Sequence, residues 1–554
     1  MNKNHSSRFI PLIISVSVII GILIGSFYAN HFTGNRLNII NTSSNKLNDL
    51  LHIIDDQYVD KVDLSDLVEK AMPKILGELD PHSVYISAKD VDNEMEGLKG
   101  SFSGIGIVFT IYQDTARVIR VVDGGPSEEI GLQPGDRIVK VNGKSFVGKI
   151  LTQDYATNHL KGPQNSKVTL SIKRKGIKKL INYTIVRGSI PVKSIDTAYM
   201  FDETTGYIRI NTFSDTTYPE LLAALAKLHQ QGFHNLIIDL RGNRGGYMAP
   251  AIQLANEFLP KNRLIVYTQG RKSPRSEYTS DGRGSYQTIP LIVLVDEVSA
   301  SASEIFTAAI QDNDRGTIIG RRTFGKGLVQ EPIQFPDGSL LRLTIARYYS
   351  PSGRCLQKPY VKGGDPDYQM DLLKRAQDGE YFSKDSIHLS GKKYKTRIGR
   401  IVYGGGGVMP DYFIPADTIG MTSYLQEALY TGLLSQYAFV YVDYYRDNLK
   451  KFEDWEELAA YLKKQNLPEK FANFAAKNGL RRRNLMLHES KNLFQDFIIS
   501  YIMDDFYGTE QKIMYTNLTD PCMLKAKDVF SKNLAFPSKP DAAAPLQAKS
   551  KKKK

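Results

Sequence analysis

Hydrophobic positions are most concentrated near the N-terminus. Residues 9–29 form a run of 21 residues without a charge, close to the roughly 20 residues with which a helix spans the hydrocarbon core of a membrane. Lys3 and Arg8 precede this run, and such positive residues favour the cytoplasmic side. The pattern predicts a single uncleaved anchor in the cytoplasmic (inner) membrane, with the rest of the chain in the periplasm or outside the cell. A cleaved signal peptide is the alternative, although Phe27 stands where cleavage favours a small side chain.

Two amphipathic helices are predicted directly after the anchor. Between residues 45 and 79, apolar residues recur at helical spacing, first around Leu50 and Ile54 and then around Leu67 and Ala71. An apolar stripe on a helix usually packs against another element of the same chain. The pattern therefore predicts a packed helix pair, with a contact between two copies of the chain as the alternative.

The next two regions differ in their periodicity. Residues 90–187 contain short alternating runs and turn residues, which predict strands at 104–110, 116–122, 136–142 and 168–173. From about 195 to 350, predicted strands alternate with helices at 235–240, 248–258, 289–296 and 302–310, and a predicted hairpin follows at 328–335 and 339–348. We therefore expect a small β-rich module and then an α/β layer with parallel strands.

Beyond about residue 415 the apolar spacing is helical, with residues such as Phe494, Ile498 and Ile502 recurring every four positions. From residue 537 onward the chain turns to Pro, Ala and Lys without any apolar period, which predicts a disordered tail. The predicted domains are an anchor at 1–30, a helical region at 31–89, the β-rich module at 90–187, the α/β core at 188–414, a helical domain at 415–536 and the Lys-rich tail at 537–554.

Composition excludes several classes of protein. With 42% hydrophobic and 24% charged residues, the chain is neither a disordered protein nor a polytopic membrane protein. The net charge is 72 − 59 = +13, but five of the last six residues are lysine, so nucleic acid is not expected as a partner. Cys355 and Cys522 are too few for a disulfide framework or a cysteine zinc site, and they allow one bridge at most.

The first candidate for chemistry is a serine-rich turn. The predicted strand at 289–296 leads through Ser299, Ser301 and Ser303 into a predicted helix. A serine at a helix N-terminus lies near unpaired N–H groups that favour a developing negative charge, as an acyl-transfer nucleophile requires. The alternative is an ordinary helix cap, with Glu304 completing a capping box for Ser301.

Two glycine-rich segments surround this turn. Residues 239–246 end another predicted strand with a turn whose glycines allow backbone amides to approach a ligand closely. Residues 323–327 place Lys326 between two glycines. A phosphate loop competes for this segment, but Gly327 supplies no hydroxyl for Mg²⁺ and a strand is predicted to follow. A solvated lysine is the other alternative.

These segments resemble the carboxyl-terminal processing, or tail-specific, serine peptidases over residues 45–415. The matching segments are 80–83 with Tyr85, 102–106, 131–136, 160–163, 239–246, 299–304 and 325–327 with Gln330. The resemblance implies a crotonase-like (ClpP/crotonase-type) α/β core with an inserted PDZ domain at 90–187. Carried over to this sequence, it implies Ser301 as nucleophile, Lys326 as general base and Gln330 as an assisting residue. Asp312 matches a recurrent acid of the family, and Arg244 stands where the family often has proline.

The chemistry of such a site sets further expectations. A lysine accepts a proton only when neutral, so burial or a neighbouring cation must lower its pKa from about 10.4. The amides of Ala302 and of Gly245 or Gly246 would receive the oxyanion. No metal or other cofactor is needed. His82, in the segment Asp-Pro-His, is the nearest candidate for a histidine triad, and we interpret that segment as a turn.

In the predicted PDZ module, Gly104, Ile105 and Gly106 would form the loop that binds a peptide carboxylate, and residues 151–160 the helix beside the groove. The expected function is a membrane-anchored serine endopeptidase that recognises free C-termini of extracytoplasmic proteins and processes or degrades them. A catalytically silent scaffold that binds C-terminal tails is the alternative, and an acyl-CoA enzyme is a more remote one. Homo-oligomerisation is left open by the sequence.

Overall fold

The computed structural model describes residues 18–21, 36–363, 366–387 and 391–538, and in the helix at 36–57 it describes side chains from residue 46 onward. The chain divides into two compact units, 1–78 and 79–554. Most of the predicted anchor at 9–29 and of the predicted tail at 537–554 lies outside the described residues, although residues 18–21 are helical. Among the helices that the structure describes, none is long and apolar enough to cross a membrane.

The N-terminal unit contains the two predicted helices, α1 at Arg36–Gln57 and α2 at Leu64–Gly77. Asp63 begins α2, because its carboxylate accepts the N–H groups of Ser65 and Asp66. On α1, Leu47 and Leu50 are about half exposed. The existence of both helices is confirmed, but the expected packing does not bury these two positions.

The second unit begins with strand β1 at Val84–Ile86 and helix α3 at Val91–Lys99. The β-rich module follows, with β2 Ser101–Gly104, β3 Ile107–Tyr112, β4 Thr115–Val121, α4 Pro126–Glu129, β5 Arg137–Val141, β6 Lys144–Ser145, α5 Gln153–Leu160, β7 Lys167–Lys173, β8 Ile181–Val186 and β9 Gly188–Pro191. Its antiparallel sheet has the order β3-β4-β5-β7-β8, so β3 lies at an edge. Strands β2 and β9 pair with each other, which brings the entry and exit of the module side by side.

The α/β core contains β10 Ile195–Met200, β11 Thr205–Ile210, α6 Thr217–Gln230, β12 Asn235–Asp239, α7 Met248–Phe258, β13 Leu264–Gln269, β14 Ser276–Thr279, β15 Leu291–Val295, α8 Ala302–Asp312, β16 Thr317–Gly320, β17 Leu328–Gln334 and β18 Leu340–Tyr349. After these come α9 Pro366–Gln377, a 3₁₀ turn at Lys384–Ser386, β19 Lys393–Lys395, β20 Ile401–Tyr403 and β21 Tyr412–Phe413. The central sheet has the order β10-β11-β12-β15-β16-β21. All its pairs are parallel except β10 with β11, which confirms the predicted α/β layer.

A second sheet of order β1-β18-β13-β14, with β17 paired to β18, contains the predicted hairpin. Strand β17 follows Lys326 almost directly, so no helix begins there and the phosphate-loop alternative is wrong. Cys355 and Cys522 are both free thiols. Burial raises the pKa of Cys522 to about 11.

The C-terminal helices are α10 Ser423–Tyr430, α11 Leu433–Leu449, α12 Trp455–Lys463, α13 Leu467–Lys477, α14 Asn484–Glu489, α15 Lys491–Phe506, α16 Thr509–Asn517 and α17 Pro521–Ser531. Helices α10–α15, which we call the helical domain, share one apolar core around Phe471, Phe494 and Ile498. The last two helices have a different role. Met523 and Val529 of α17 pack against Ile237 and other residues of the central sheet, on the face opposite α6, α7 and α8.

Candidate active site

Ser301 lies where β15 turns into α8, at the N-terminus of that helix. Its φ of 57° and ψ of −113° are unusual for a residue with a side chain, and such backbone strain is typical of functional sites. Ser299 and Ser303 are fully buried, and their hydroxyls donate to the carbonyl oxygens of Leu240 and Asn243. Of the three serines in the turn, Ser301 therefore has the accessible side chain.

The glycine-rich turn after β12 lies directly beside Ser301. A Cβ atom added to Gly245 would lie 2.8 Å from Ser301 Cβ, and one added to Gly246 would lie 2.1 Å from the carbonyl oxygen of Phe213. Both glycines have positive φ, 99° and 143°. Only glycine permits this close approach.

The two predicted oxyanion donors of the turn are not equivalent. The Gly245 N–H donates to Asn243 Oδ1 at 2.8 Å, so it is not available to a ligand. No described residue accepts the N–H of Gly246 or that of Ala302, the first residue of α8. The expectation for Gly245 is therefore corrected, and Gly246 with Ala302 supplies the two unpaired amides.

Lys326 lies between Gly325 and Gly327 and lines the same cavity as Ser301. Burial, and secondarily the positive charge of Arg342, lower the pKa of Lys326 to about 8, while Glu304 and Asp80 oppose this shift. A lowered pKa is what the general-base role of Lys326 requires, and the side chain is partly buried rather than exposed. Sequence reasoning did not identify Arg342, because the predicted hairpin of β17 and β18 does not by itself show which of its side chains face the cavity.

Glu304 connects the serine turn to the lysine loop. Its carboxylate accepts the backbone N–H of Ser301 at 2.9 Å, that of Gly325 at 2.7 Å and that of Lys326 at 2.8 Å, together with the hydroxyl of Thr323 at 2.5 Å. Burial raises the pKa of Glu304, and these hydrogen bonds counteract that rise. The capping interaction predicted between Glu304 and Ser301 is present, but Glu304 also holds the loop that carries Lys326.

Gln330 lines the cavity as well, and its amide nitrogen lies 3.3 Å from the hydroxyl oxygen of Thr344. Thr344 in turn donates to Asp80 at 3.0 Å. Among the hydrogen bonds of the described residues, none joins Gln330 to Lys326. The structure therefore places Gln330 at the site, and its assisting role stays a prediction.

His82 and Asp312 do not line the cavity that contains Ser301 and Lys326. His82 lies in the predicted turn, with Nε2 2.7 Å from the Tyr368 hydroxyl. Burial and the charge of Lys326 lower the pKa of His82 to about 4. Asp312 forms a fully buried ion pair with Arg354 at 2.7 Å. Asp312 therefore anchors the end of α8 and does not face the cavity.

The cavity has a volume of about 380 Å³. Several apolar side chains contribute to its walls, among them Met95, Leu98, Tyr247, Met248, Ile305 and Leu328. Met95 and Leu98 belong to α3, which leads directly into the β-rich module. A largely apolar cavity with a few polar groups is typical of a ligand-binding site. Neither α3 residue was identified from sequence, because nothing local marks a helix far along the chain as part of the site.

The predicted carboxylate loop lies between β2 and β3, where the expected strand at 104–110 is interrupted. Ile105 is buried, and Gly106 has a φ of 74°. The carbonyl oxygens of Ile105 and Gly106 accept the N–H groups of Ser127 and Val122, whereas the N–H groups of Ile105 and Gly106 donate to none of the residues described. Two unpaired amides at the start of an edge strand are what a carboxylate-binding loop requires.

An accessible serine beside two unpaired amides and a lysine of lowered pKa defines the site of a serine-type hydrolase. Residues 204–370 match the model of peptidase family S41, residues 117–174 that of the PDZ domain, and residues 424–508 that of a family of unknown function.

Related proteins with similar sequences are named as proteases. The chain is 34% identical to the "Probable CtpA-like serine protease" of Staphylococcus aureus (strain N315) over 373 residues, 66% of this chain and 73% of that protein. It is 36% identical to the "Carboxy-terminal-processing protease" of Bartonella bacilliformis over 317 residues, 56% and 72% of the two chains. A solved structure, the photosystem II D1 C-terminal processing protease, is 27% identical with a TM-score of 0.32, and the match covers 57% of this chain and 90% of that one.

The chain belongs to peptidase family S41, and it is a serine protease of the carboxyl-terminal processing type with a PDZ domain. The resemblance found in the sequence is thereby confirmed. The comparisons favour the catalytic function over a silent scaffold.

Proposed function

We propose that this protease captures the free C-terminus of a protein substrate on its PDZ domain and cleaves the chain with Ser301 as nucleophile and Lys326 as general base. The observation that carries the proposal is the environment of Lys326. Its amine shares a cavity with Ser301, and burial beside Arg342 lowers its pKa to about 8. At pH 7 about a tenth of such a lysine is neutral, against well under 1% of a lysine with an ordinary pKa.

In the first half of the reaction, the neutral amine of Lys326 takes the hydroxyl proton as Ser301 Oγ attacks the peptide carbonyl carbon. The carbonyl oxygen becomes negative and is held by the N–H groups of Ala302 and Gly246. When the C–N bond breaks, the ammonium of Lys326 returns its proton to the leaving amine, and an acyl-enzyme remains.

In the second half, water attacks the acyl-enzyme and gives its proton to the amine of Lys326. Collapse of the second tetrahedral intermediate releases the new carboxyl terminus, and Ser301 Oγ regains a proton from Lys326. Throughout the cycle, Glu304 holds the Ser301 turn and the Lys326 loop in fixed positions relative to each other by accepting their backbone hydrogen bonds.

Tail recognition rests on the loop before β3. The N–H groups of Ile105 and Gly106 are unpaired among the described residues, and β3 is an edge strand to which an extended peptide can add. Helix α5 confirms the predicted helix near 151–160, and it would line the other side of the groove. A substrate tail bound there would lie antiparallel to β3, with its carboxylate at Gly106.

The test uses one substrate protein with a free C-terminus, the same protein with an amidated C-terminus, and a short internal peptide. We expect Ser301→Ala and Lys326→Arg to lose nearly all cleavage of all three, because arginine cannot give up its proton. Gly106→Val should reduce cleavage of the free-tail protein only, since valine at a φ of 74° is strained. Substantial turnover by a folded Lys326→Arg protein would contradict the general-base role, and equal cleavage of free and amidated proteins by the wild type would contradict tail capture.

We also propose that residues 9–29 anchor the chain in the cytoplasmic membrane and that the protease faces the periplasm or the cell exterior. The support is the uncharged run of 21 residues behind Lys3 and Arg8. Protease added to spheroplasts should digest the catalytic domain. Protection of that domain while the membrane is intact would refute this orientation.

The crotonase-like type of the core is likewise a proposal. It is supported by parallel strands β11, β12, β15 and β16, with helices α7 and α8 following β12 and β15 and the two unpaired amides located where those helices begin. In such a core one N–H from each of two helix-starting turns binds an acyl oxygen, as Gly246 and Ala302 would here. A crystal structure of a peptide boronate bound to Ser301, with the boronate oxygen away from the N–H groups of Gly246 and Ala302, would contradict this core type.

A further inference from the structure

The helical domain, α10–α15, contacts the PDZ domain through charged side chains. The carboxylate of Asp443 on α11 lies 3.8 Å from Arg117 and 4.0 Å from Arg137, on strands β4 and β5. Asp504 on α15 lies 3.7 Å from Arg120 of β4. We call these three ion pairs the clasp contact. Its partners lie more than 300 residues apart in sequence, so only the fold brings them together.

Aromatic groups and glycines complete this surface. The guanidinium of Arg117 lies 4.7 Å from the ring centre of Tyr112 and 6.0 Å from that of Phe439 on α11. A Cβ atom added to Gly508 would lie 2.6 Å from Arg120 Nη1, and one added to Gly135 would lie 3.1 Å from Asp443 Oδ1. The two domains are therefore close-fitting here, although their ion pairs are long.

The distances in the clasp contact exceed those of hydrogen-bonded ion pairs, which are about 2.7–2.9 Å. Arg117 is only 9% exposed, and its Nε has no hydrogen-bond partner in the described chain. Burial and the nearby Arg137 lower the pKa of Arg117, while Asp443 opposes this. A buried charge that is incompletely paired costs free energy, so this contact should open readily.

The C-terminal segment meets the peptidase core in a different way. Arg241 lies 2.7 Å from Asp520 at the start of α17, and α16 and α17 cover one face of the central sheet with fully buried residues such as Met523. Helices α15 and α16 are themselves in extensive contact and are separated by two residues. The helical domain is thus connected to the core through helices with buried apolar side chains, whereas its contact with the PDZ domain consists of long ion pairs and aromatic contacts.

The carboxylate loop leads directly into β3, and β3 is paired with β4 in one sheet. Strand β3 ends at Tyr112, whose ring centre lies 6.3 Å from that of Phe439. Any rotation of the PDZ domain away from the helical domain would therefore move the groove that is proposed to bind substrate tails. In the clasped arrangement Lys326 and Ser301 line one assembled cavity.

We propose that the helical domain is a clasp for the PDZ domain, which holds the tail-binding groove in a fixed place relative to Ser301 through a contact that can open. The inference rests on the proposed function. Residues 424–508 match a family of unknown function. On this proposal, they determine how efficiently a substrate whose tail is bound to the PDZ domain is cleaved at Ser301. A tethered substrate gains from a high effective concentration only while the geometry is maintained.

The test is charge reversal in the full chain. Asp443→Arg places a cation against Arg117 and Arg137 and should open the clasp contact. Asp447→Arg is the matched control, since it makes the same change one turn later on α11, where the side chain is 96% exposed. Arg137→Asp combined with Asp443→Arg restores one pair with the charges exchanged.

We expect Asp443→Arg to lower the ratio of kcat/KM for the free-tail protein to that for the amidated protein by about tenfold. Cleavage of the short peptide should change by less than about twofold, because the catalytic groups are untouched. The double variant should recover part of the ratio, because Arg117 still faces the new arginine, and Asp447→Arg should match the wild type. Hydrogen exchange of β4 should be faster in Asp443→Arg than in either of the other variants.

Three results would overturn the clasp: an unchanged ratio in Asp443→Arg, a raised ratio, or unchanged exchange in β4. Different results would show that the proposed function itself is wrong. In that case the wild-type protein would cleave free-tail and amidated proteins equally, or Ser301→Ala would retain activity on the short peptide.

Discussion

Ser301 and Lys326 are held by a single oxygen atom. Their backbone N–H groups donate to Oε2 of Glu304, at 2.9 Å and 2.8 Å. The turn that carries the nucleophile and the loop that carries the base are therefore fixed relative to each other by a side chain that need not touch the substrate.

Replacing Glu304 by glutamine should disable the site while preserving its size. The amide group of glutamine would face N–H and O–H donors where the carboxylate accepts four hydrogen bonds, so at least one donor loses its acceptor. We expect a loss of activity of about 10²-fold or more, and a fall of about 1–3 kcal/mol in the free energy of unfolding. Urea denaturation and peptide hydrolysis measure the two effects. A fully active Glu304→Gln protein would show that the shared oxygen is not needed.

Arg342 should shift the pH range in which the enzyme becomes active to lower pH, in addition to the effect of burial. Because the reaction needs neutral Lys326, kcat/KM should rise with pH through a limb near 8, the pKa of that amine. The positive charge of Arg342 lowers this pKa, so Arg342→Gln should raise it and move the limb to higher pH. Arg347→Gln is the control, since it lies exposed on the same strand. An unshifted limb in Arg342→Gln would refute the electrostatic effect.

The same pKa predicts how Lys326 affects stability. The folded protein binds the proton of Lys326 less tightly than the unfolded chain, whose lysine keeps the ordinary pKa of 10.5. The penalty of a buried ammonium is therefore fully present below pH 8 and is relieved as pH rises from 8 to 10.5. Over that interval the free energy of unfolding of wild type should increase relative to that of Lys326→Met. Parallel curves for the two proteins would contradict the lowered pKa.

Asn243 should act as a positioning residue for the oxyanion site. Its Oδ1 accepts the Gly245 N–H at 2.8 Å, its Nδ2 donates to Ile210, and its carbonyl oxygen accepts the N–H of Ala300 and the hydroxyl of Ser303. Asn243→Ala frees the turn that carries Gly246. We expect kcat to fall by about 10²-fold with little change in KM, because the lost alignment serves the transition state. A rise in KM with kcat unchanged would instead indicate a binding role.

The final helices should be essential to the fold of the peptidase core. Met523 of α17 is fully buried against the central sheet, whereas its neighbour Leu524 is 52% exposed. Met523→Ala should lower the free energy of unfolding by about 2–4 kcal/mol, and Leu524→Ala by no more than about 0.5 kcal/mol. Chemical denaturation of the two variants provides the comparison. Equal effects would mean that α17 is not part of the core.

Much of this protein is determined by local sequence. Helices α7 and α8 begin at the predicted residues, and the hairpin of β17 and β18 lies where alternating runs flank a turn, because apolar periodicity and turn residues act over a few positions. The positions of Ser301, Lys326, Ala302 and the glycine turn also follow from short motifs. A serine at a strand-to-helix turn and a lysine between two glycines can each be recognised from a few consecutive residues.

Tertiary structure decided the rest. Sequence could not choose between Gly245 and Gly246, because the choice depends on which amide the side chain of Asn243 occupies. It could not give the cation that lowers the pKa of Lys326, since the pattern of the hairpin does not show that Arg342 faces the same cavity as Lys326. It could not show that α17 completes the core or that Asp443 meets Arg117, because pairs hundreds of residues apart leave no periodic signal. Local preferences for helix, strand or turn depend on neighbouring residues and can be predicted from sequence. Burial, charge environment and long-range pairing arise only once distant segments have packed together.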